Sequence, residues 1–239
     1  MKPCAVPLRE PQSALARMNA LGGVDGMAGM DALATPLRRR RGETLCDDRG
    51  ARFLYRMSAG AARRCALSAD GRRRIVDLLF PGDFFGFDGD ARAGSTIEAL
   101  VDGSVVLRYP RREVEALADA DPQAARIIRE IAFAAIARLE TQIALLGRVN
   151  AVEKVGAFLL ALEERQRACG QPSCERSEIQ SRRVTLPVSR CDIGDFLALA
   201  PETVSRSLAA LERRGAIRLP APRDVDILDR AALRAGAQR

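Results

Sequence analysis

Three polar residues, Glu202, Ser205 and Arg206, recur at helical spacing near the C-terminal end of this 239-residue chain. Positions three and four residues apart lie on one face of an α-helix. An arginine fork can bind O6 and N7 of guanine, a carboxylate can accept a hydrogen bond from N4 of cytosine, and a serine hydroxyl can bond a base or contact a thymine methyl. These residue types at this spacing predict a surface that reads base edges in the major groove of DNA.

The stretch from Val188 to Gly215 predicts the two helices and the tight turn that would position this surface. Ser189 can cap the first helix, with Asp192 three residues later as an acidic variant of the capping box. Pro201 suits the first position of the second helix, and a glycine suits its end. The residues expected to point inward are Ile193, Phe196, Leu197, Val204, Leu208 and Leu211. The pattern indicates a helix-turn-helix, with an ordinary helical hairpin bearing a solvated polar face as the alternative.

A wing is expected beside these helices. Apolar runs at 216–219 and 225–228 flank the turn-forming segment 220–224, which predicts a β-hairpin. Together with the two helices, this hairpin would make a winged helix-turn-helix domain over residues 147–239.

A long helix is predicted ahead of that domain, because no glycine occurs between Pro110 and Gly147. Apolar residues recur every three or four positions in it: Ile128, Ile131, Ala135, Leu139, Ile143 and Leu146. The stripe is narrow enough for a two-helix seam, so residues 122–146 are expected to form a dimer interface. The alternative is a helix that only packs on its own domain. Asn150 can cap the next helix, from Ala151 to about Arg167.

Residues 36–121 have a different pattern. Short apolar runs are separated by glycine-containing turns at roughly ten-residue spacing, which is typical of an antiparallel sandwich or barrel. Residues 1–35 are expected to be a flexible leader, with helical spacing only around Leu15, Met18 and Leu21. The chain is therefore predicted to be an α+β protein.

Composition narrows the function. Lysine and arginine exceed aspartate and glutamate by 38 to 31, and almost all of the cations are arginine, whose planar donors suit phosphates and guanine edges. The chain has no histidine, which excludes Ser-His-Asp and Cys-His catalysis and His-ligated metal sites. No apolar run is long enough to span a bilayer, and the six cysteines lack the spacing of a disulfide framework. We expect a cytoplasmic, non-enzymatic protein without a membrane or metal partner.

The order of parts resembles the Crp/Fnr superfamily of bacterial transcription regulators, and most closely its FixK-type branch. The resemblance covers roughly residues 37–235. The stretches that carry it are Gly71-Arg-Arg-Arg-Ile-Val-Asp-Leu-Leu-Phe-Pro-Gly-Asp-Phe-Phe-Gly86, Leu145-Leu-Gly-Arg-Val-Asn-Ala-Val-Glu-Lys-Val-Gly-Ala-Phe-Leu-Leu160, Asp192-Ile-Gly-Asp-Phe-Leu197 and Glu202-Thr-Val-Ser-Arg206. The last of these is the most specific.

The resemblance implies an N-terminal double-stranded β-roll of the cyclic-nucleotide-binding type, a homodimer through the long helix, and recognition helices in successive major grooves of a palindrome. Members with the Glu-x-x-Ser-Arg pattern recognise TTGA-type half-sites, which implies Glu202, Ser205 and Arg206 as base readers. The positions near backbone phosphates are Ser189, Arg190, Cys191 and Thr203. RNA polymerase would be a partner, and this branch typically relays low-oxygen signals. The aromatic stretch 84–87 is either a polymerase contact or sheet core.

Two positions depart from the branch pattern. Ala198 stands where glycine usually closes the turn, and Ala200 stands where a serine or threonine usually caps the recognition helix. A lost cap costs on the order of 1 kcal/mol of local stability. Pro201 offsets part of that cost.

The β-domain lacks the family's known ligand groups. Phe87 follows Gly86 where cyclic-nucleotide binders carry glutamate, and Gly94-Ser95 replaces their Arg-Ser pair, in a loop with acidic residues that would oppose a phosphate. Only Cys4 precedes Cys46, so the closely spaced N-terminal cysteines of iron-sulfur relatives are missing. The pair Cys169 and Cys174 has no companion histidine and is interpreted as part of a loop. We expect no cofactor.

Cys191 is a redox candidate. It is expected at the second position of the first helix, where the partial positive charge of the helix end favours the reactive thiolate. Oxidation would add bulk or negative charge beside a DNA phosphate and weaken binding. The alternative is a neutral spacer on the phosphate side.

The sequence as a whole predicts a dimeric DNA-binding transcription activator that works without a small effector. One alternative is an effector-gated regulator with an unidentified ligand in the β-roll. Another, a cyclic-nucleotide-regulated enzyme or scaffold, has no catalytic constellation to support it.

Overall fold

A computed structural model describes residues 24–45, 52–67, 71, 73–87, 95–168 and 183–235. The N-terminal part contains helix α1 (Val24–Ala32), strands β1 (Thr35–Arg39), β2 (Phe53–Ala59), β3 (Ala62–Leu67), β4 (Arg73–Leu79), β5 (Phe84–Phe85), β6 (Ser95–Ala99) and β7 (Ser104–Pro110), and helix α2 (Arg111–Ala120). Two long helices follow, α3 (Pro122–Leu146) and α4 (Ala151–Ala168). The C-terminal part contains β8 (Arg183–Thr185), α5 (Arg190–Leu197), α6 (Pro201–Arg213), β9 (Ile217–Ala221), β10 (Asp224–Ile227) and α7 (Arg230–Ala235).

Two antiparallel sheets form the β-domain. One has the strand order β1-β7-β2-β5 and the other the order β4-β3-β6. Apolar side chains from both sheets meet in one cluster, and within it the ring of Tyr55 stacks on Phe85 with centroids 5.3 Å apart. The predicted α+β fold with a two-layered β-domain is confirmed.

The structure differs from the expected leader at residues 24–35, which form helix α1 and the start of β1. Met30 is fully buried in a cluster with Tyr109 and Ile131. Asp31 accepts hydrogen bonds from the Tyr109 hydroxyl (3.2 Å) and from Arg56 (3.1 Å), and burial raises the pKa of Tyr109 to about 12. These tertiary contacts stabilise a glycine-containing helix that local propensity does not indicate. Residues 1–23, with the helical spacing at Leu15, Met18 and Leu21, lie outside the described residues.

Helix α3 has the bounds that the sequence pattern gives, Pro122–Leu146. The Asp121 side chain caps its start by accepting a hydrogen bond from the backbone N–H of Gln123 (2.9 Å). The connection to α4 spans residues 147–150, and Asn150 Oδ1 accepts from the backbone N–H of Val152 (2.8 Å). Only a short link therefore joins the long helix to the C-terminal domain.

The C-terminal domain is a winged helix-turn-helix. Its small sheet has the strand order β8-β10-β9, with β9 and β10 forming the expected hairpin. All six residues predicted to point inward from the two central helices are buried. Strand β8 was not predicted from the sequence.

Candidate nucleic-acid interface

Helix α5 begins with a full capping box. The Ser189 hydroxyl oxygen accepts a hydrogen bond from the backbone N–H of Asp192 (3.1 Å), and the Asp192 carboxylate accepts one from the backbone N–H of Ser189 (3.0 Å). Both orphan donors are satisfied reciprocally, which fixes the direction in which the helix starts. This is the predicted local structure, with aspartate in the place of the usual glutamate.

The turn between α5 and α6 is tight, and two small residues make it possible. A Cβ added at Gly194 would lie 2.6 Å from the backbone oxygen of Leu199, so a larger residue would push the turn away from the helix. Ala198 closes α5 in the left-handed conformation, with φ of 54°. The missing glycine at 198 is visible in the sequence, whereas the close approach at Gly194 depends on the path of the turn and has no signal there.

Helix α6 presents the predicted base-reading face. Val204, Leu208 and Leu211 are buried on its inner side, and Glu202 and Arg206 are exposed one turn apart on its outer side. In the part of the chain that the structure describes, neither of these charged side chains has a hydrogen-bond or ion-pair partner. Free donors and acceptors on an exposed helix face are what base recognition requires.

The side chain of Ser205 is less exposed than those of Glu202 and Arg206. It is half-buried, and its hydroxyl donates to the backbone oxygen of Pro201 at 3.1 Å. Its oxygen can still accept a hydrogen bond, and the hydroxyl can turn outward if a base is within reach. At the start of this helix Ala200 provides no side-chain cap, as the sequence indicated.

The predicted phosphate-side residues gather at the start of the two helices. Ser189 and Cys191 are exposed, and Arg190 is half-buried, at the N-terminal end of α5. Thr203 lies half-buried in the first turn of α6. The Ser189 hydroxyl also donates to the Asp192 carboxylate (2.7 Å), so part of its hydrogen-bonding capacity is used within the capping box.

The Asp192 carboxylate in the first turn of α5 is stabilised in its charged form. Burial alone would raise the pKa of Asp192, but the hydrogen bonds from Ser189 and the nearby Arg63 guanidinium outweigh it and lower the pKa. Arg63 belongs to strand β3 of the β-domain and forms an ion pair with Asp192. This contact between domains was not predicted, since nothing in the sequence links positions 63 and 192.

A second carboxylate, that of Asp226, stabilises the wing. Asp226 on β10 is 1% exposed and accepts hydrogen bonds from Arg183 on β8 (2.7 Å) and Arg218 on β9 (2.7 Å). The bond from Arg183 is the main cause that lowers the pKa of Asp226, with burial opposing it. These bonds connect the three strands of the small sheet, which lies against α6.

The expected dimer stripe on α3 needs correction. Ile131 is 2% exposed and Ile128 packs beside it, both on the side of the helix that faces the chain's own N-terminal part, where α1, α2 and β5 contact α3. Ala135 is half-buried. The apolar side chains that remain exposed are Phe133, Ile136, Leu139, Ile143 and Leu146. Leu139, Ile143 and Leu146 of this exposed stripe were predicted, whereas Phe133 and Ile136 were not. The exposed stripe lies on the side of the helix that faces away from the β-domain.

The β-domain gives a mixed result. Phe84 and Phe85 are buried in the sheets, which favours the core interpretation over a polymerase contact, while Phe87 is half-buried. The loop at 88–94 and the pair Cys169 and Cys174 lie outside the described residues. Within those that are described, no group of three metal-ligating side chains occurs, and no helix is long and apolar enough to cross a membrane.

Comparison with protein families finds two matches along the chain. Residues 37–121 match the cyclic nucleotide-binding domain, and residues 153–235 match the Crp-like helix-turn-helix domain. These ranges correspond to the β-domain with α2 and to the C-terminal domain.

Individual relatives agree with the family matches. The chain is 40% identical to the nitrogen fixation regulation protein FixK of Azorhizobium caulinodans over 204 residues, 85% of this chain and 79% of that protein. It is 34% identical to the transcriptional activatory protein AadR of Rhodopseudomonas palustris, over 77% of this chain and 72% of the relative. The solved structure of FixK2 from Bradyrhizobium japonicum superposes with a TM-score of 0.72 at 31% identity, covering 86% of this chain and 98% of that one.

Proposed function

The chain belongs to the Crp/Fnr superfamily of transcription regulators, close to FixK, and we propose that it binds a TTGA-type palindrome as a homodimer and activates transcription with RNA polymerase. As a member of this family it is a DNA-binding regulator and not an enzyme. The observation that carries the proposal is that Glu202 and Arg206 are exposed and, among the residues the structure describes, have no partner, on a helix whose opposite side is fully buried. Cytoplasmic action and a low-oxygen signal are part of the same proposal, since relatives are named regulators of nitrogen fixation.

The decisive experiment measures the affinity of the purified protein for a TTGA palindrome and for the same DNA with both half-sites scrambled. We expect tight binding without any added ligand, and binding should weaken steeply with salt if about 6 to 10 phosphates are neutralised per dimer. Equal affinity for the two DNAs at every salt concentration would overturn the proposed sequence recognition.

The apolar stripe on α3 supports the homodimer. Five large apolar side chains stay exposed along one face of a 25-residue helix, more than a surface helix of a monomer normally leaves in water. Ile143→Glu is expected to give a monomer in sedimentation experiments. The matched control is Leu67→Glu, which also charges an exposed apolar position, but on the β-domain, and should leave the dimer intact.

The position of Cys191 supports a further part of the proposal, that oxidation of its thiol weakens DNA binding. Its thiol is exposed at the second position of α5, on the side expected to face a phosphate, while Cys65 is buried. Peroxide converts a thiolate to a sulfenic acid and is itself reduced to water. We expect peroxide to weaken DNA binding of the wild type and to leave Cys191→Ser unaffected; equal weakening of both proteins would rule this role out.

The match to the cyclic nucleotide-binding domain favours a second candidate, an effector-gated regulator with an unidentified ligand in the β-roll. Tyr55 stacks on Phe85 inside the β-domain, so side chains fill this part of its interior. This packing favours the first candidate, which needs no ligand. Repeating the affinity measurement with and without cyclic nucleotide, in air and under reductant, separates the two. Binding that depends on the nucleotide supports the second candidate.

A further inference from the structure

Two groups of ion pairs tie the DNA-binding domain to the rest of the chain. The first is at strand β3, where Arg63 pairs with Glu98 of β6 (3.0 Å) and with Asp192 of α5. Asp192 is also the capping-box residue of that helix. Arg63 therefore holds the very turn from which the helix-turn-helix starts.

The second group lies where three parts of the molecule meet. Asp83, in the turn before β5, pairs with Arg138 of α3 (3.1 Å) and with Arg165 of α4. Arg165 also donates to the backbone oxygen of Leu78 (2.8 Å), and its guanidinium lies 4.4 Å from the ring centre of Phe80. One carboxylate of the β-domain thus joins the long helix to the first helix of the DNA-binding domain.

Apolar contact fills the space between these two groups. Helix α5 packs against strand β4, and a single buried cluster contains Cys65, Ile75 and Leu78 of the β-domain together with Ile193 and Phe196 of α5. Apolar burial holds surfaces together but has little directional preference. The charged hydrogen bonds are directional, so they are the contacts that fix the angle between the domains.

The covalent connection cannot fix that angle by itself. Residues 147–150 make up the whole link between α3 and α4, and Val149 within it is 99% exposed. In the docked arrangement the reading face stays open, since Glu202 and Arg206 remain exposed. The side-chain contacts are therefore compatible with DNA binding while they hold the domain.

We propose that Arg63 and Arg165 are positioning residues that set the distance and angle between the two recognition helices of the dimer, and so the spacing of half-sites that the protein accepts. The inference rests on the proposed binding of a palindrome by a homodimer. Half-sites must lie about one helical turn of DNA, 34–36 Å, apart for two such helices to enter successive major grooves. Each added base pair rotates one half-site by about 34° relative to the other, so a fixed domain angle selects one spacer length.

The test is a series of TTGA palindromes that differ only in the number of base pairs between the half-sites. The wild type should bind one spacer best and lose about tenfold or more in affinity when the spacer changes by two base pairs, a rotation of about 70°. The double variant Arg63→Met and Arg165→Met should bind these spacers to within about threefold of one another. Its preference for TTGA over a half-site with one changed base should match that of the wild type.

The matched control is the double variant Arg73→Met and Arg167→Met. Arg73 pairs with Glu98 inside the β-domain, and Arg167 pairs with Glu163 inside helix α4, so the same number of charges is lost without breaking an interdomain ion pair. This control should keep the spacer preference of the wild type. The double variant Arg63→Lys and Arg165→Lys should keep part of that preference, because the charges are present without the planar fork.

The possible results separate a failure of this inference from a failure of the proposed function. A uniform loss of affinity at every spacer, with the preference kept, would show that the arginines only stabilise the fold and would overturn the inference. If the double variant does not fold, the single variant Arg63→Met is measured on the same series, and an unchanged preference there overturns it equally. A wild type that ignores palindromes altogether would instead remove the proposed function.

Discussion

The arginines at the domain junction and the arginine on the recognition helix are used in opposite ways. Arg63, Arg138 and Arg165 all reach carboxylates of another element, and Arg138 binds both Asp77 and Asp83. Arg206 is exposed and, among the described residues, pairs with nothing. The same residue type fixes internal geometry in one region and stays available for an external anion in the other.

This difference explains why the net charge is a poor guide to the binding surface. The excess of +7 counts both kinds of arginine alike. An arginine with a carboxylate within hydrogen-bond distance has lost most of its attraction for a phosphate, whereas an unpaired one keeps it. Loss of a paired arginine should therefore reduce stability, and loss of an unpaired one should reduce DNA binding.

Removal of the most buried junction arginine should cost the most stability. Arg138→Met removes the main partner of Asp77, which is 2% exposed and keeps the more distant Arg64 at 4.0 Å. Removing one partner of a buried ion pair costs about 3–5 kcal/mol, and we expect a loss near the lower end because Arg64 remains. Urea unfolding of the protein measures this loss. Arg206→Ala in the same experiment should change the free energy of unfolding by less than about 0.5 kcal/mol. Similar losses in the two variants would break the contrast.

The recognition arginine should show the reverse behaviour in DNA binding. Arg206→Ala should lower the preference for the half-site guanine by about 1–3 kcal/mol without a change in stability. Arg213→Ala is the control, because Arg213 is also exposed but lies in the last turn of the same helix. It should weaken binding to all sequences alike or not at all. An unaltered base preference in Arg206→Ala removes the assignment.

Local patterns were sufficient for the parts of the site that lie close together in sequence. The capping residue Ser189, the inward-facing residues and the exposed pair Glu202 and Arg206 all follow from spacings of three or four positions. The same reasoning failed for α3, because Ile131 and Ile136 have equal apolar character and only the tertiary fold decides which of them meets the β-domain.

Contacts between distant positions could not be predicted. The pairs formed by Arg63 with Asp192 and by Arg165 with Asp83 join residues 129 and 82 positions apart, and no periodicity relates them. The close approach at Gly194 is similar in kind, since it depends on the path of the turn and not on the glycine's neighbours in sequence. Helix α1 owes its order to the burial of Met30, which a glycine-rich stretch does not indicate.

Acid should weaken the junction between the domains through Asp192. The pKa of Asp192 is lowered in the folded protein, so its charged form contributes stability above the ordinary aspartate pKa of about 3.9, and this contribution is lost as the pH falls further through the folded pKa. Asp192→Asn keeps a capping oxygen but cannot lose a charge. The free energy of unfolding, measured from about pH 5 to about pH 3, should fall less steeply in this variant. Identical slopes would contradict the expectation.

The turn between the two helices offers the smallest effect, and one of opposite sign. Ala198 is held at a φ of 54°, where a Cβ is unfavourable by about 1–2 kcal/mol, and glycine removes that penalty while adding about 0.5–1 kcal/mol of unfolded-state entropy cost. Ala198→Gly should therefore stabilise the protein by about 0.5–1 kcal/mol in urea unfolding. The same substitution within α6, Ala210→Gly, should destabilise it by about 1 kcal/mol, because Ala210 has an ordinary helical conformation. If both changes destabilise the protein equally, the left-handed conformation of Ala198 costs no free energy relative to glycine, and the missing glycine at this position has no effect on the helix-turn-helix.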